Sequence, residues 1–316
     1  MPCHTIVHRQ DWFLEEGYRA RTDREELGFL DRSFELHFNE RPFLNHFSYL
    51  FITRTTKGRM RQQSNFSVLC RGHILPREVR DKDGVLRFLE AVEQFERIIR
   101  DSGLVRLERL TTEEITGKGK EAGLVEKYFS LSQEDTTTLE DIRLGGAEMR
   151  VGDKRLSVHT LSDADDLPAA VRTDGRFEKY STDRSDCRLS FAAPVGLMLP
   201  HNHICNLYVF IDDPAETLRN FEKAARNMRS LSRYSRANEI NRQWTEEYLN
   251  EAHSFGLVPV RCHCNVMAWS EDRERLRNIR NDTGSALAQM GCKPRHNTVD
   301  APTLYWAAIP GGEGDF

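Results

Sequence analysis

Hydrophobic positions recur three and four residues apart in four parts of the chain, which is the spacing of a helix packed on a core. This spacing predicts helices at residues 22–38, 85–99, 213–256 and 276–290. The third helix is the longest. It opens with Asp213 and Pro214, a capping acid followed by a proline that the first helical turn tolerates. A break is expected near Ser235.

Apolar runs that alternate with polar residues, or are continuous, predict strands. These runs lie at residues 47–55, 104–110, 148–151, 155–161, 189–199, 204–211, 258–269 and 304–309. The turn Gly152-Asp153-Lys154 joins two of them into a hairpin. The order of elements predicts an α+β fold, with mixed sheets and long amphipathic helices on one face. For the second half we predict a ferredoxin-like, split β-α-β arrangement.

The polar, acidic stretch at residues 133–146 predicts a boundary between two parts of the chain. We expect an N-terminal α+β subdomain over residues 1–145. A second α+β subdomain, which contains the long helix 213–256, is expected over residues 146–316.

Composition describes a soluble globular protein, with 39% hydrophobic and 30% charged residues and a net charge of −4. No apolar run approaches the roughly 20 residues that cross a bilayer. The first residues lack the basic and apolar regions of a signal peptide. The seven cysteines follow no disulfide spacing, which favours a reducing compartment. We therefore predict a cytoplasmic location.

Basic residues form a stripe along one flank of the predicted helix 213–256. The stripe contains Arg219, Lys223, Arg226, Arg229, Arg233 and Arg236. At about 100° per residue these positions border the apolar face of the helix. One interpretation is an ordinary solvated face, and the other is a docking surface for an acidic partner or for phosphates. Because the whole chain is slightly acidic, any such contact is local.

The glycine- and lysine-rich segment Thr116–Lys120 is the first candidate for nucleotide binding. It lacks the four-residue gap and the Lys-Ser/Thr ending of a phosphate-binding loop. No ordered set of nucleophile and base can be named either, and no catalytic residue is predicted. The residues therefore predict neither an enzyme nor a bound cofactor in this chain, and no small-molecule substrate.

Two histidine-containing strings are candidates for metal binding. His201-Asn202-His203 spells the letters of a nuclease motif, but its histidines fall in a predicted turn. In Cys262-His263-Cys264, the strand period of two places both sulfurs on one face. Cys292 and His296 would have to complete a zinc site there. Thiols that pack as small apolar groups are the alternative, and we predict no metal site.

Longer strings carry a resemblance to a known family. They are residues 33–35, 41–46, 63–66, 70–73, 130–136, 181–196, 227–238 and 293–311. Together they resemble the TraG family of conjugative-transposon ATPases, which look like the motors of type IV secretion systems for DNA transfer. That family's plan is an N-terminal portion followed by a RecA-like motor with the phosphate loop. The string Ala308–Gly311 precedes the motor in the family, so we expect ATP and magnesium only in a motor domain beyond this chain.

The resemblance implies a non-catalytic docking and assembly region of a conjugation ATPase. Its expected partners are its own C-terminal motor domain, neighbouring subunits and inner-membrane components of the secretion system. It would lie in the cytoplasm, peripheral to the inner membrane. The alternative is a DNA-contacting module that combines the basic stripe with Arg54, Lys57, Arg59 and Arg61. A metal-dependent nuclease built on His201 and His203 is a third, less favoured reading.

Overall fold

A computed structural model describes most of the chain. The described residues are 3–16, 28–39, 43–56, 81–134, 140–143, 148–161, 163–168, 171, 175–178, 181–196, 198–232 and 234–313. The strands within these ranges are β1 (Cys3–Glu16), β2 (Phe43–Thr56), β3 (Ile142–Arg143), β4 (Arg150–Val151), β5 (Lys154–Leu161), β6 (Gly175–Arg176), β7 (Arg188–Leu189), β8 (His203–Ile211), β9 (Val260–Ser270) and β10 (Arg295–Asn297). The helices are α1 (Phe29–Asn39), α2 (Lys82–Asp101), α3 (Thr112–Thr116), α4 (Leu124–Ser130), α5 (Ala193–Gly196), α6 (Pro214–Leu231), α7 (Arg236–Phe255), α8 (Arg273–Gln289) and α9 (Ala301–Ala307).

An eight-stranded sheet organises the described part of the chain. Its strands follow the order β2-β1-β8-β9-β5-β4-β3, and β10 pairs with β5 beside β4. The fold is therefore α+β, as predicted. Every pairing between the described strands is antiparallel, so the sheet is not the expected mixed one. The connection between β8 and β9, for example, consists of two antiparallel helices. They return the chain to the end of the sheet at which β8 stopped, so β9 runs antiparallel to β8.

Helices cover both faces of the sheet, whereas the sequence predicted one. On the first face, α4 and α9 supply Tyr128 and Tyr305, which pack in one cluster with Trp12 and Met267. We call this the α4 face. On the second face, which we call the α8 face, α5 and α8 pack against the central strands. Its cluster contains Leu161, Val195, Val266, Ala286, Leu287 and Cys292. The strand period of two divides apolar residues between these layers.

One split β-α-β unit is present in the second half. β9 and β10 are both antiparallel to β5, which lies between them, and α8 connects the two. The β8–β9 connection departs from a complete ferredoxin-like fold, because it is a helical hairpin between neighbouring strands. Strands from both sides of residue 145 join the same sheet. The sheet is thus not divided at that residue, and the two-subdomain boundary stays a prediction.

Three further predictions about individual elements are wrong. Residues 104–110 carry no strand, and their exposed Leu104 and Val105 find no partner strand in the described structure. Among its described residues, the run at 189–199 contains the end of β7 and the short helix α5 and no further strand. The predicted strand at 304–309 is largely the helix α9, which begins after Asp300 and has proline in its first turn. Short apolar runs do not distinguish buried strands from buried helices.

Candidate docking surface

The predicted helix 213–256 is two helices that form a hairpin. Asp213 caps the start of α6, where its side chain accepts a hydrogen bond of 2.9 Å from the Glu216 backbone N–H. The break falls at the expected place, because Ser235 is the residue before α7. Gly256 ends α7 with a left-handed φ of 64°, a conformation that favours glycine. We call Pro214–Phe255 the α6–α7 hairpin.

The two helices pack mainly on each other. Ala225 of α6 and Leu249 and Ala252 of α7 are the buried residues of the hairpin. Phe221 and Tyr248 meet edge to face across it, with ring centroids 5.4 Å apart. None of the three clusters of buried apolar residues in the described structure includes a residue of the hairpin. The hairpin therefore adds little to the apolar core of the sheet.

The basic stripe lies on the exposed flank of α6. Arg219, Lys223, Arg226 and Arg229 are all exposed. The Nε–H groups of Arg219 and Arg226 donate to carbonyl oxygens of their own helix, at 3.0 and 3.3 Å. Arg233 lies outside the described residues. Arg236 is exposed but begins α7. The reversal of the chain therefore separates it from the continuous flank that the sequence predicted.

None of the five described members of the stripe forms an ion pair within the described chain. Charges on α7 behave differently. Arg242 hydrogen-bonds Glu239 and Glu246, at 2.6 and 2.5 Å, and these carboxylates raise its pKa. The hairpin thus has one flank with uncompensated positive charge beside a helix whose central arginine is neutralised.

Large apolar side chains are also uncovered on the hairpin. The exposed ones are Phe221, Leu231, Tyr234, Ile240, Trp244 and Phe255. Tyr234 is 85% exposed at the turn between the helices, and Trp244 is 64% exposed on α7. Single exposed apolar residues are ordinary on protein surfaces, and these six extend from the turn between the helices to the end of α7.

The histidines of the His-Asn-His string lie in separate environments. His201 Nε2 is 2.8 Å from Asp282 Oδ2. His203 is fully buried, and its two ring nitrogens lie 2.7 and 3.1 Å from the carbonyl oxygens of His201 and Val195. Burial lowers the pKa of His203 to about 4. His201 Nδ1 has no hydrogen-bond partner in the described chain, but both ring nitrogens of His203 are engaged, so the two histidines do not share a metal position.

The Cys-His-Cys string lies in β9 as predicted, with the two thiols on the α8 face and His263 on the α4 face. Cys264 packs in the same cluster as Cys205 and Cys292. Burial, followed by the neighbouring Cys292, raises the pKa of Cys264 to about 12. In the described part of the chain, no three His, Cys, Asp or Glu side chains are grouped as metal ligands. Cys205, Cys264 and Cys292 pack there as small apolar groups, whereas Cys262 is exposed.

The glycine- and lysine-rich segment forms a tight turn between α3 and α4. Lys118 pairs with Glu113 at 2.8 Å, and its backbone bridges to that of Glu121. Gly117 has a left-handed φ of 84°. The Lys118 ammonium group is therefore already paired with a carboxylate of the preceding helix α3.

A buried polar network on the α4 face was missed by sequence reasoning. The ring nitrogens of His8 lie 3.2 Å from Glu313 Oε1 and 3.0 Å from Asn206 Oδ1, and all three side chains are fully buried. Gln10 donates to Asn206 and to the Ala308 carbonyl oxygen, at 3.0 and 2.8 Å. These contacts attach the segment after α9 to the centre of the sheet. The only sequence signal was that His8 and Gln10 stand at period-two spacing with the apolar Ile6 and Trp12 in β1.

Comparison with known proteins adds no assignment. No family model matches this chain, and a search of curated proteins found no match. No helix within the described ranges combines the length and apolar character needed to cross a bilayer. The interaction surface is therefore interpreted from its own geometry.

Proposed function

We propose that this chain is a docking region of a conjugation ATPase and that it uses the α6–α7 hairpin to bind an acidic protein surface. The expected partners are the motor domain, neighbouring subunits and inner-membrane components of a type IV secretion system. The observation that carries the proposal is a row of exposed cations on α6 that form no ion pair within the described chain, on a hairpin that adds no residue to the described apolar clusters. The resemblance of the sequence strings to the TraG family supplies the biological setting. In this proposal the chain itself catalyses nothing, and ATP and magnesium belong to the motor.

Electrostatics favours a partner with clustered carboxylates. Each exposed ion pair contributes no more than about 1 kcal/mol, or about fivefold in affinity. Several pairs along α6 would therefore act together, and they would also accelerate association at low salt. The uncovered aromatic side chains of the hairpin would supply apolar contact beside them.

The test is a charge reversal with a matched control. The hairpin variant carries Lys223→Glu, Arg226→Glu and Arg229→Glu. The control variant carries Arg97→Glu, Lys120→Glu and Arg277→Glu, three exposed positions outside the hairpin. Both variants make the net charge more negative by six, so overall charge cannot explain a difference.

Binding to purified inner-membrane components of the secretion machine would be measured by surface plasmon resonance. We expect the hairpin variant to bind at least about tenfold more weakly, since three favourable charges become repulsive. The control variant should stay within about twofold of the wild type. Equal binding by the two variants would remove the stripe from the proposal.

A DNA-contacting module is the second candidate, and the same unpaired cations favour it. Arg54 is exposed at the end of β2, while Lys57, Arg59 and Arg61 lie outside the described residues. Duplex binding through phosphates would show log K falling with log salt, by about 0.9 for each neutralised phosphate. Measurable duplex affinity with a slope steeper than about −3, reduced in the hairpin variant alone, would favour DNA over a protein partner.

A further inference from the structure

Unpaired polar groups gather between β5 and α8, on the sheet face away from the Glu313 network. Three buried atoms there have no hydrogen-bond partner among the described residues, namely Ser157 Oγ, His159 Nδ1 and Arg280 Nε. Ser157 and His159 are two residues apart on β5 and therefore point to the same face. Buried polar atoms are nearly always satisfied in proteins, so we expect these three to have partners that the described chain does not supply.

α8 brings Arg280 to this position. The helix follows β9, packs against β5 and β9, and runs in the same direction as β5. A Cβ on Gly284 would lie 3.9 Å from His159 Nε2, which places that turn of the helix directly over the histidine. Arg280 is one turn earlier on the same side, at the level of Ser157. The rise of four helical residues, about 6 Å, matches that of two strand residues.

His296 completes the group from the edge of the sheet. It pairs with His159 in the β5–β10 register, and the two rings are 5.3 Å apart. His159 is 4% exposed, Arg280 is half-buried and His296 is exposed. The group is therefore open to solvent at β10 and closed at β5.

The charges around His159 have one sign. Burial, followed by the charges of His296 and Arg280, lowers its pKa to about 4. β9, on the other side of β5, presents Val266 and Ala268 at this level, and no carboxylate contributes to the pKa shift of His159 or His296. A guanidinium and two imidazoles without a carboxylate are suited to an oxyanion.

We propose that Ser157, His159, Arg280 and His296 form a binding site for a small tetrahedral oxyanion of the phosphate class. Arg280 supplies a fixed positive charge, and the hydroxyl and the two imidazoles donate hydrogen bonds. Because the group is open to solvent at β10 and closed at β5, we expect the ligand to be a free anion or a terminal phosphate group rather than a polymer backbone. This site is separate from the α6–α7 hairpin, and its presence does not depend on the proposed docking function.

Binding should be coupled to proton uptake. An anion among these groups favours the charged form of each histidine, so it raises their pKa values. Affinity then rises as pH falls, by up to about tenfold per pH unit for each proton taken up. Sulfate is the suitable probe for this dependence, because it does not itself titrate between pH 5 and pH 8.

The experiment measures thermal stability and calorimetric binding of the whole chain with inorganic phosphate or sulfate, against chloride at equal ionic strength. The variant is Arg280→Met, and the matched control is Arg277→Met, an exposed arginine one turn earlier on α8. We expect saturable stabilisation in the wild type and in the control, and at least about tenfold weaker binding in Arg280→Met, since the fixed charge is lost. No saturable binding, or equal binding by both variants, would overturn the proposal.

Nuclear magnetic resonance of the wild type keeps the test decisive if Arg280→Met fails to fold. Sulfate should raise the titration midpoints of the His159 and His296 imidazoles. Unmoved midpoints for both would refute the site. A titration with adenosine monophosphate distinguishes a phosphate monoester from the free inorganic anion as the ligand. Tighter binding than inorganic phosphate would assign the site to a phosphate monoester, and weaker binding would assign it to the free anion.

Discussion

Replacing Glu313 by alanine should destabilise the protein by about 3–5 kcal/mol, because the change leaves a buried polar network without its carboxylate. Glu313 Oε1 lies 3.2 Å from His8 Nδ1 and accepts from the Gly311 N–H at 3.3 Å. Oε2 accepts from Thr53 Oγ1 at 2.9 Å. Hydrogen bonds to a charged group contribute about 1.5–3 kcal/mol each. The desolvation of the carboxylate offsets part of the sum, which leaves the stated net effect.

Two further variants set the scale of this measurement. Thr53→Val removes a single donor to the carboxylate and should cost about 1.5–3 kcal/mol, less than the loss of Glu313. Glu247→Ala changes an exposed glutamate on α7 and should stay within about 0.5 kcal/mol of the wild type. Urea unfolding, followed by tryptophan fluorescence, gives all three values. A cost for Glu313→Ala equal to that of Glu247→Ala would refute the network's contribution.

The acid range gives an independent signature of the same carboxylate. Burial raises the pKa of Glu313, but the hydrogen bond from His8, the local backbone and Thr53 outweigh this effect, so the pKa lies below its usual value. A folded-state pKa below the unfolded one contributes stability above the unfolded pKa, about 4.3. That contribution is lost as pH falls through the folded pKa. The wild type should therefore lose more stability than Glu313→Ala below about pH 4.3.

The remaining predictions concern single positions. In the same urea assay, Gly123→Ala should cost more than about 2 kcal/mol, because its Cβ would lie 2.1 Å from a backbone nitrogen. Gly119→Ala should cost about 1–2 kcal/mol, because the space around its Cβ is open but its φ is 67°. Leu287→Ala should lower the free energy of unfolding by about 2–5 kcal/mol, because it truncates a buried side chain of α8. A loss below about 1 kcal/mol would contradict the packing of α8 on the sheet. Iodoacetamide at pH 8 should modify the exposed Cys262 well before Cys264, because burial keeps the Cys264 thiol protonated. Mass spectrometry of the peptides measures the order, and earlier modification of Cys264 would contradict the prediction.

Sequence patterns predicted the elements whose two faces differ in polarity. The helices at 85–99 and 276–290 and the strands at 47–55, 204–211 and 258–269 appear where periodicity placed them. β1 was missed, although it lies between β2 and β8 within the sheet. Its inward positions include His8 and Gln10, which are buried because Asn206 and Glu313 satisfy them. These hydrogen-bond partners are 196 to 305 residues away in the sequence, so no local sequence pattern indicates them.

The candidate surface was predictable in part. Helical spacing placed Arg219, Lys223, Arg226 and Arg229 together on one flank, and α6 does so. The same spacing wrongly continued the flank to Arg236, because a periodic pattern does not register the reversal of direction at the turn. The absence of ion pairs at the described members of the flank also depends on which acidic residues the tertiary fold brings near, and helical spacing does not provide that information.

Docking through the α6–α7 hairpin is tested most directly by hydrogen–deuterium exchange of the chain alone and mixed with purified inner-membrane components of the secretion machine. We predict that amide exchange slows in the exposed turns of α6 and in the segment that joins α6 to α7, while the exchange of β9 and α8 stays unchanged. Slowed exchange elsewhere with an unaffected hairpin, or unchanged exchange throughout at saturating partner, would contradict it.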